Sequence, residues 1–166
     1  CVGVIDGSVQ ISSSRLEGQT GSLGFYSRSA PGGAALGLLR SRAVVTSSVL
    51  IGGPGGGSCA DCERCWADGG HGGPACLLSD SSSTLNGCQL FAGDGTDRAC
   101  CRFGQCMKSG NGGDTLDLQN SQINLLGSSL HPGKAALLDS YLRNQILECR
   151  QLENDLQCVT LLLQQR

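Results

Sequence analysis

Three cysteines spaced by two residues, Cys59, Cys62 and Cys65, are the first candidates for chemistry in this sequence. A C-x2-C-x2-C run brings thiolates close enough to share one metal, and the same spacing begins ferredoxin-type iron–sulfur sites. Cys76 is available as a fourth ligand, and His71 would complete a zinc site. A second triplet, Cys100, Cys101 and Cys106, lies in a comparable glycine-rich stretch further along. Two triplets on neighbouring loops would equally supply up to three disulfides, and such cross-links restrict the unfolded state of segments with little core of their own. With 11 cysteines and 2 histidines among 166 residues, disulfides in an oxidising compartment are the simpler expectation. The candidates are Cys59, Cys62, Cys65, Cys76, Cys88, Cys100, Cys101, Cys106, Cys149 and Cys158. Their connectivity stays open, and for Cys76 core packing is as good a reading as a bridge.

Other constellations are weaker. Residues 109–117 (SGNGGDTLD) resemble a calcium-binding nonapeptide in which Asp114 would be the ligand and backbone carbonyls would supply further oxygens. The preceding copy carries Pro74 where a second Asp would be needed, so solvated turns are the plainer reading, for Asp94 and Asp97 as well. His71 and His131 have no Ser or Cys beside them in a nucleophile frame. Trp66 and Phe103 suit either a cover over neighbouring structure or stacking on sugar rings. No N-x-S/T sequon is present, and the few threonines do not rank into the columns that ice binding requires. No catalytic, cofactor or metal residue is therefore expected, with calcium at these turns, like a metal at the first cysteine triplet, kept as a minor alternative.

The elements that must position these residues declare themselves as a repeat. Residues 34–53 (AALGLLRSRAVVTSSVLIGG), 74–93 (PACLLSDSSSTLNGCQLFAG) and 114–133 (DTLDLQNSQINLLGSSLHPG) align without gaps at an offset of 40, and residues 1–18 join them at an offset of 34. Val2, Leu36, Cys76 and Leu116 form one apolar column, and Val4, Leu38, Leu78 and Leu118 form another two residues on. Val9, Ala43, Ser83 and Ile123, then Ile11, Val45, Leu85 and Leu125, repeat the spacing, and Leu16, Leu50, Leu90 and Leu130 close each unit. A spacing of two is strand periodicity. A small column (Gly7, Ser41, Ser81, Ser121) separates the two halves and suits a bend between two short strands, and a second small column (Ser13, Ser47, Gly87, Gly127) precedes the closing leucines. One such unit cannot bury its apolar face alone, but like stacked on like builds a continuous core. Glycine-rich stretches with the cysteine triplets fill the rest of each repeat.

This pattern resembles the right-handed parallel β-helix proteins of the pectin lyase-like kind, over roughly residues 1–134. It is especially similar to Gly/Ser/Cys-rich repeat proteins of that architecture. The resemblance implies an all-β solenoid of about four repeats (1–33, 34–73, 74–113 and 114–133). Enzymes of that family cut acidic polysaccharides with Asp, Arg or Lys clustered on one strand face, and no such cluster stacks across these copies.

Residues 134–166 lack glycine and proline. Leu138, Leu142, Gln145, Cys149, Leu152, Leu156, Val159 and Leu163 alternate by fours and threes, the seam of an amphipathic helix. Such a helix could cap the last rung or pair with another chain; further solenoid rungs are the alternative. No apolar run is long enough to span a membrane. A net charge of −2 without a basic run disfavours nucleic acid. Because Cys1 falls inside the pattern, further copies upstream in a longer or processed chain are anticipated. The same placement, with no tether before Val2, argues against a lipid-anchored N-terminal cysteine. The expectation is an extracellular or cell-surface structural protein that binds other proteins or itself. A carbohydrate-active enzyme or carbohydrate-binding module is the alternative, and a metal-binding Cys module the weaker one.

Overall fold

The computed structural model describes residues 1–22, 29–57, 68–96 and 109–134. They hold twelve short strands in four like triplets. The first rung contains β1 (Val2–Ile5), β2 (Ser8–Ser12) and β3 (Arg15–Glu17). The second contains β4 (Leu36–Leu39), β5 (Arg42–Thr46) and β6 (Val49–Ile51). The third contains β7 (Cys76–Ser79), β8 (Ser82–Asn86) and β9 (Gln89–Phe91). The fourth contains β10 (Leu116–Gln119), β11 (Gln122–Leu126) and β12 (Ser129–His131).

Corresponding strands pair in parallel and form three four-stranded sheets, ordered β1-β4-β7-β10, β2-β5-β8-β11 and β3-β6-β9-β12. This stacking is that of a parallel β-solenoid, and the described residues contain no helix. The register places Val2, Leu36, Cys76 and Leu116 opposite one another, and likewise the other apolar columns. Leu36, Val45, Leu50, Leu78, Leu85 and Leu90 are fully buried in the two middle rungs. Their counterparts in the outer rungs, such as Val2, Leu16, Leu118 and Leu130, are partly buried. Alternation makes this interior: each strand turns every second side chain inward, and stacking seals the layer between its neighbours.

Each corner turns on one left-handed residue. Asp6, Arg40, Asp80 and Asn120 (φ 47–51°) stand between the first and second sheets. Ser13 and Ser47 (φ 47°), Gly87 (60°) and Gly127 (56°) stand between the second and third. Asp, Asn and Gly tolerate this region best. The residue after each turn does a second job. Ser81 Oγ accepts from Ser41 N–H (3.0 Å) and donates to Ser79 O (2.7 Å), and Ser121 Oγ accepts from Ser81 N–H (3.0 Å). At the other corner Ser48 Oγ accepts from Ser14 N–H and Ser128 Oγ from Cys88 N–H. Two serine ladders thus satisfy the backbone groups that a bend removes from the sheets.

The glycine-rich stretches begin and end as ordered arms, which strand-and-turn reasoning read simply as loops. Outgoing arms (residues 18–22, 52–57 and 92–96) lie against returning arms (residues 29–33, 68–73 and 109–113). The amides of Gly53, Gly73, Gly93, Gly113 and Gly133 each donate to the carbonyl 20 residues earlier, at 2.8–3.2 Å. The bonds therefore alternate between the two layers of arms. Three residues further out, Gly56 N–H donates to Ala30 O, Gly70 to Gly56, Thr96 to Gly70 and Gly110 to Thr96. Between these positions Gly52, Gly55, Gly32 and Gly72 donate within one layer, to Phe91 O, Asp94 O, His71 O and Asn111 O. The third position of each triplet, occupied by Pro31, Pro54, His71, Asp94 and Asn111, is exposed.

A repeat of three with its bonds made between neighbouring arms resembles the packing of polyproline II bundles, and at the most crowded positions a side chain would overlap backbone. A Cβ on Gly53 would lie 2.0 Å from Gln19 O, and one on Gly93 1.9 Å from Gly53 O. Side chains at the exposed third position, and proline where no donor is needed, end the bundle at two layers.

Candidate functional site

The arms decide where the cysteine-bearing segments leave the scaffold. Residues 23–28, 58–67 and 97–108 start and finish at adjacent arm ends. Ser29 donates from N–H to Asp68 O (3.1 Å) and from Oγ to Gly57 O (3.0 Å). Thr96 Oγ1 donates to Gly56 O at 2.8 Å. Because the arms stack rung on rung, the three stems emerge one above another on the same side of the solenoid. This edge is the candidate functional site.

Cys59, Cys62, Cys65, Cys100, Cys101 and Cys106, with Trp66, Phe103 and Asp97, lie outside the described residues. So do Cys149, Cys158 and the whole expected C-terminal helix or cap. Cys1, Cys76 and Cys88 are free thiols; Cys1 is exposed and the other two are buried. Cys76 fills its place in the apolar column between Leu36 and Leu116. Burial, with a smaller contribution from Cys88, pushes its thiol up to about 12, so it stays neutral and unreactive. Cys88 stands where the second ladder carries serine, and its Sγ donates to Val45 O and Asn86 O at 3.4 Å. Both therefore serve the interior.

The histidines are apart and differently engaged. His71 lies exposed on a returning arm, where its Nδ1 accepts from Asn111 N–H at 2.9 Å. His131 stacks on Phe91, with ring centroids 4.4 Å apart and planes 10° from parallel. No group of three or more His, Cys, Asp or Glu able to hold a metal occurs among the described residues. Of the glycines behind the calcium resemblance, Gly110 and Gly113 donate their amides to the neighbouring outgoing arm. Asp94 likewise accepts from Lys134 N–H at 2.7 Å. Its carboxylate does for the outgoing layer what His71 does for the returning one.

Two features escaped sequence reasoning. Asp6, Arg40 and Asp80 form a column of alternating charge along the first corner. Arg40 grips Asp6 through Nε (2.6 Å) and Nη2 (2.8 Å), and this hydrogen bond holds the exposed Asp6 carboxyl below its ordinary range. The signal was an acid and a base at equivalent positions of adjacent copies. The second is Ser83, buried in an otherwise apolar column, whose hydroxyl finds no partner among the described residues. Apart from that corner, no strand face among the described residues presents a stacked set of acids and bases: Asp117 shares its column with Leu77 and Gly37, and Arg42 shares its own with Ser8, Ser82 and Gln122. No family model, curated protein or solved structure matches this chain.

Proposed function

We propose that this chain is an extracellular display scaffold: a right-handed parallel β-helix of the pectin lyase-like kind whose glycine-packed arms hold cysteine-bearing tips for contact with other proteins. The right hand follows from the strong preference of parallel crossover connections. Eleven cysteines favour an oxidising setting.

The observation that carries the reading is the double layer of arms. A scaffold that merely closed its rungs would need only short turns at this edge. Here backbone bonds at every position except the exposed third hold the stems together, and the segments beyond them vary from 6 to 12 residues (23–28, 58–67 and 97–108). A rigid frame carrying variable segments is how many recognition surfaces are made. The serine hydroxyls at the corners and the interior thiols are committed to the frame, so recognition falls to the tips and outer faces.

The test replaces residues 58–67 and 97–108 with short Gly-Ser links. Circular dichroism and the unfolding midpoint should stay close to those of the parent, while size-exclusion light scattering or pull-down from extracellular extract loses the parent's associations. A parent that is strictly monomeric and depolymerises acidic polysaccharide would replace this reading with a carbohydrate-active enzyme.

A further inference from the structure

The outer face of the first sheet contains glycines that nothing in the fold requires. Gly3 and Gly37 are neighbours in the ladder, in the middle of β1 and β4. A Cβ on Gly3 would meet nothing within 4 Å, and one on Gly37 only Val2 O at 4.0 Å. Neither has a left-handed φ. The next residue of the same column is Leu77, so a large side chain is accommodated there. Glycine inside a strand costs stability and often marks the close approach of another backbone or a ligand. Beside this bare floor, Ile5 is 66% exposed and Leu39 is half-buried in the adjacent column. The three lower rungs thus present a step floored by glycine, walled by Ile5 and Leu39 and closed by Leu77, with the Asp6–Arg40 ion pair at its rim.

We propose that the occupant of this step is the C-terminal segment of the same chain, residues 135–166. Two arguments choose it over a second copy. The first is area: with strands ~4.8 Å apart and ~3.3 Å per residue along them, the patch covers on the order of 200 Å². A stable interface between separate chains buries roughly 800 Å² on each partner. A tethered segment needs far less, because its effective concentration is about millimolar. The second argument is reach and pattern. The segment starts at Lys134, which is anchored by its N–H to Asp94 and by its carbonyl to Gly95 N–H. Ten residues beyond it can extend about 33 Å, more than the ~15 Å height of four rungs. The segment carries Leu138, Leu142, Leu152, Leu156, Val159 and Leu163 at spacings of three, four and their sums, an apolar stripe suited to an apolar step.

The test places a photo-reactive benzoylphenylalanine at Ile5 in the full chain, with Gln10 on the second sheet's outer face as control. After irradiation, peptide mapping should find the adduct within residues 135–166 of the same molecule, at least about tenfold above the Gln10 control. Adding Gly37→Gln, which fills the floor without touching the core, should abolish that adduct while the circular dichroism is unchanged. An adduct joining two chains, an equal yield from Gln10, or no adduct in that segment would overturn the proposal, as would an adduct that persists in the Gly37→Gln variant.

Discussion

At the scale of single residues, the interior is an apolar stack with two departures. Ser83 lies between Ala43 and Ile123 in its column, with its hydroxyl unpartnered among the described residues. A buried polar atom without a partner costs about 1–3 kcal/mol, so Ser83→Ala should stabilise the protein by about 1 kcal/mol in urea unfolding. The contrasting substitution is Ser81→Ala, which strips the acceptor from Ser41 N–H and should destabilise by about 1–2 kcal/mol. Cys76 gives a prediction in pH. Its folded thiol is raised to about 12, whereas an unfolded cysteine ionises near ~8.5. The unfolded state alone gains a thiolate between those values, so the contribution is intact below the lower value and is lost as pH rises toward the higher one. Relative to Cys76→Val, the parent should lose up to about 1.4 kcal/mol per pH unit across that window. Parallel alkaline limbs for the two proteins would contradict this.

At the scale of elements, strands and arms depend on opposite properties of their residues. Strands need side chains that fill a layer, while arms need their absence. Gly53→Ala should destabilise by about 3 kcal/mol, because the new methyl would overlap the Gly18–Gln19 backbone, 2.0 Å from Gln19 O, and backbone cannot swing aside as a side chain would. Gly3→Ala, a change of the same size in open space, should be neutral or stabilising by up to about 1 kcal/mol. Urea midpoints of the two variants measure the contrast directly. This difference also explains what the sequence made legible. Apolar columns such as Val4, Leu38, Leu78 and Leu118 are a local pattern of period two repeated at a fixed offset, so two strands per unit, their register and their stacking could be read from them. The third strand of each rung (β3, β6, β9 and β12), with a single inward column at Leu16, Leu50, Leu90 and Leu130, is too short to show a period and was not foreseen. The arms have no side chains to pattern. Their signal was only the frame Gly70-x-Gly72-Gly73 over Gly110-x-Gly112-Gly113, whose meaning depends on backbones that are distant in sequence. The first serine ladder was visible as the small column Ser41, Ser81, Ser121, whereas the second lies one residue beyond the column Ser13, Ser47, Gly87, Gly127 that the sequence showed. The hydrogen bonds of both appear only once rungs are stacked. The candidate edge was located by the cysteine triplets, and the hydrogen-bonded arms that stack the stems of those segments were not foreseen.

At the scale of the whole molecule, three sheets and a two-layer bundle of arms share one axis and one repeat, so a single rung-to-rung spacing serves both. Stability in such a stack is a sum of interfaces between neighbouring rungs. The arms extend those interfaces beyond the apolar core and out to the tips. Replacing the tips should therefore leave cooperative unfolding in place, whereas a substitution in the glycine seam should weaken the strands on either side of it. The most direct measurement is native-state hydrogen exchange at the amides of Gly53, Gly73 and Gly93, which donate across the seam at 2.8 Å. If the arms are part of the frame, these amides are protected to within about tenfold of the Val45 and Leu85 amides in the core strands. Exchange at rates typical of solvated loops would contradict the account.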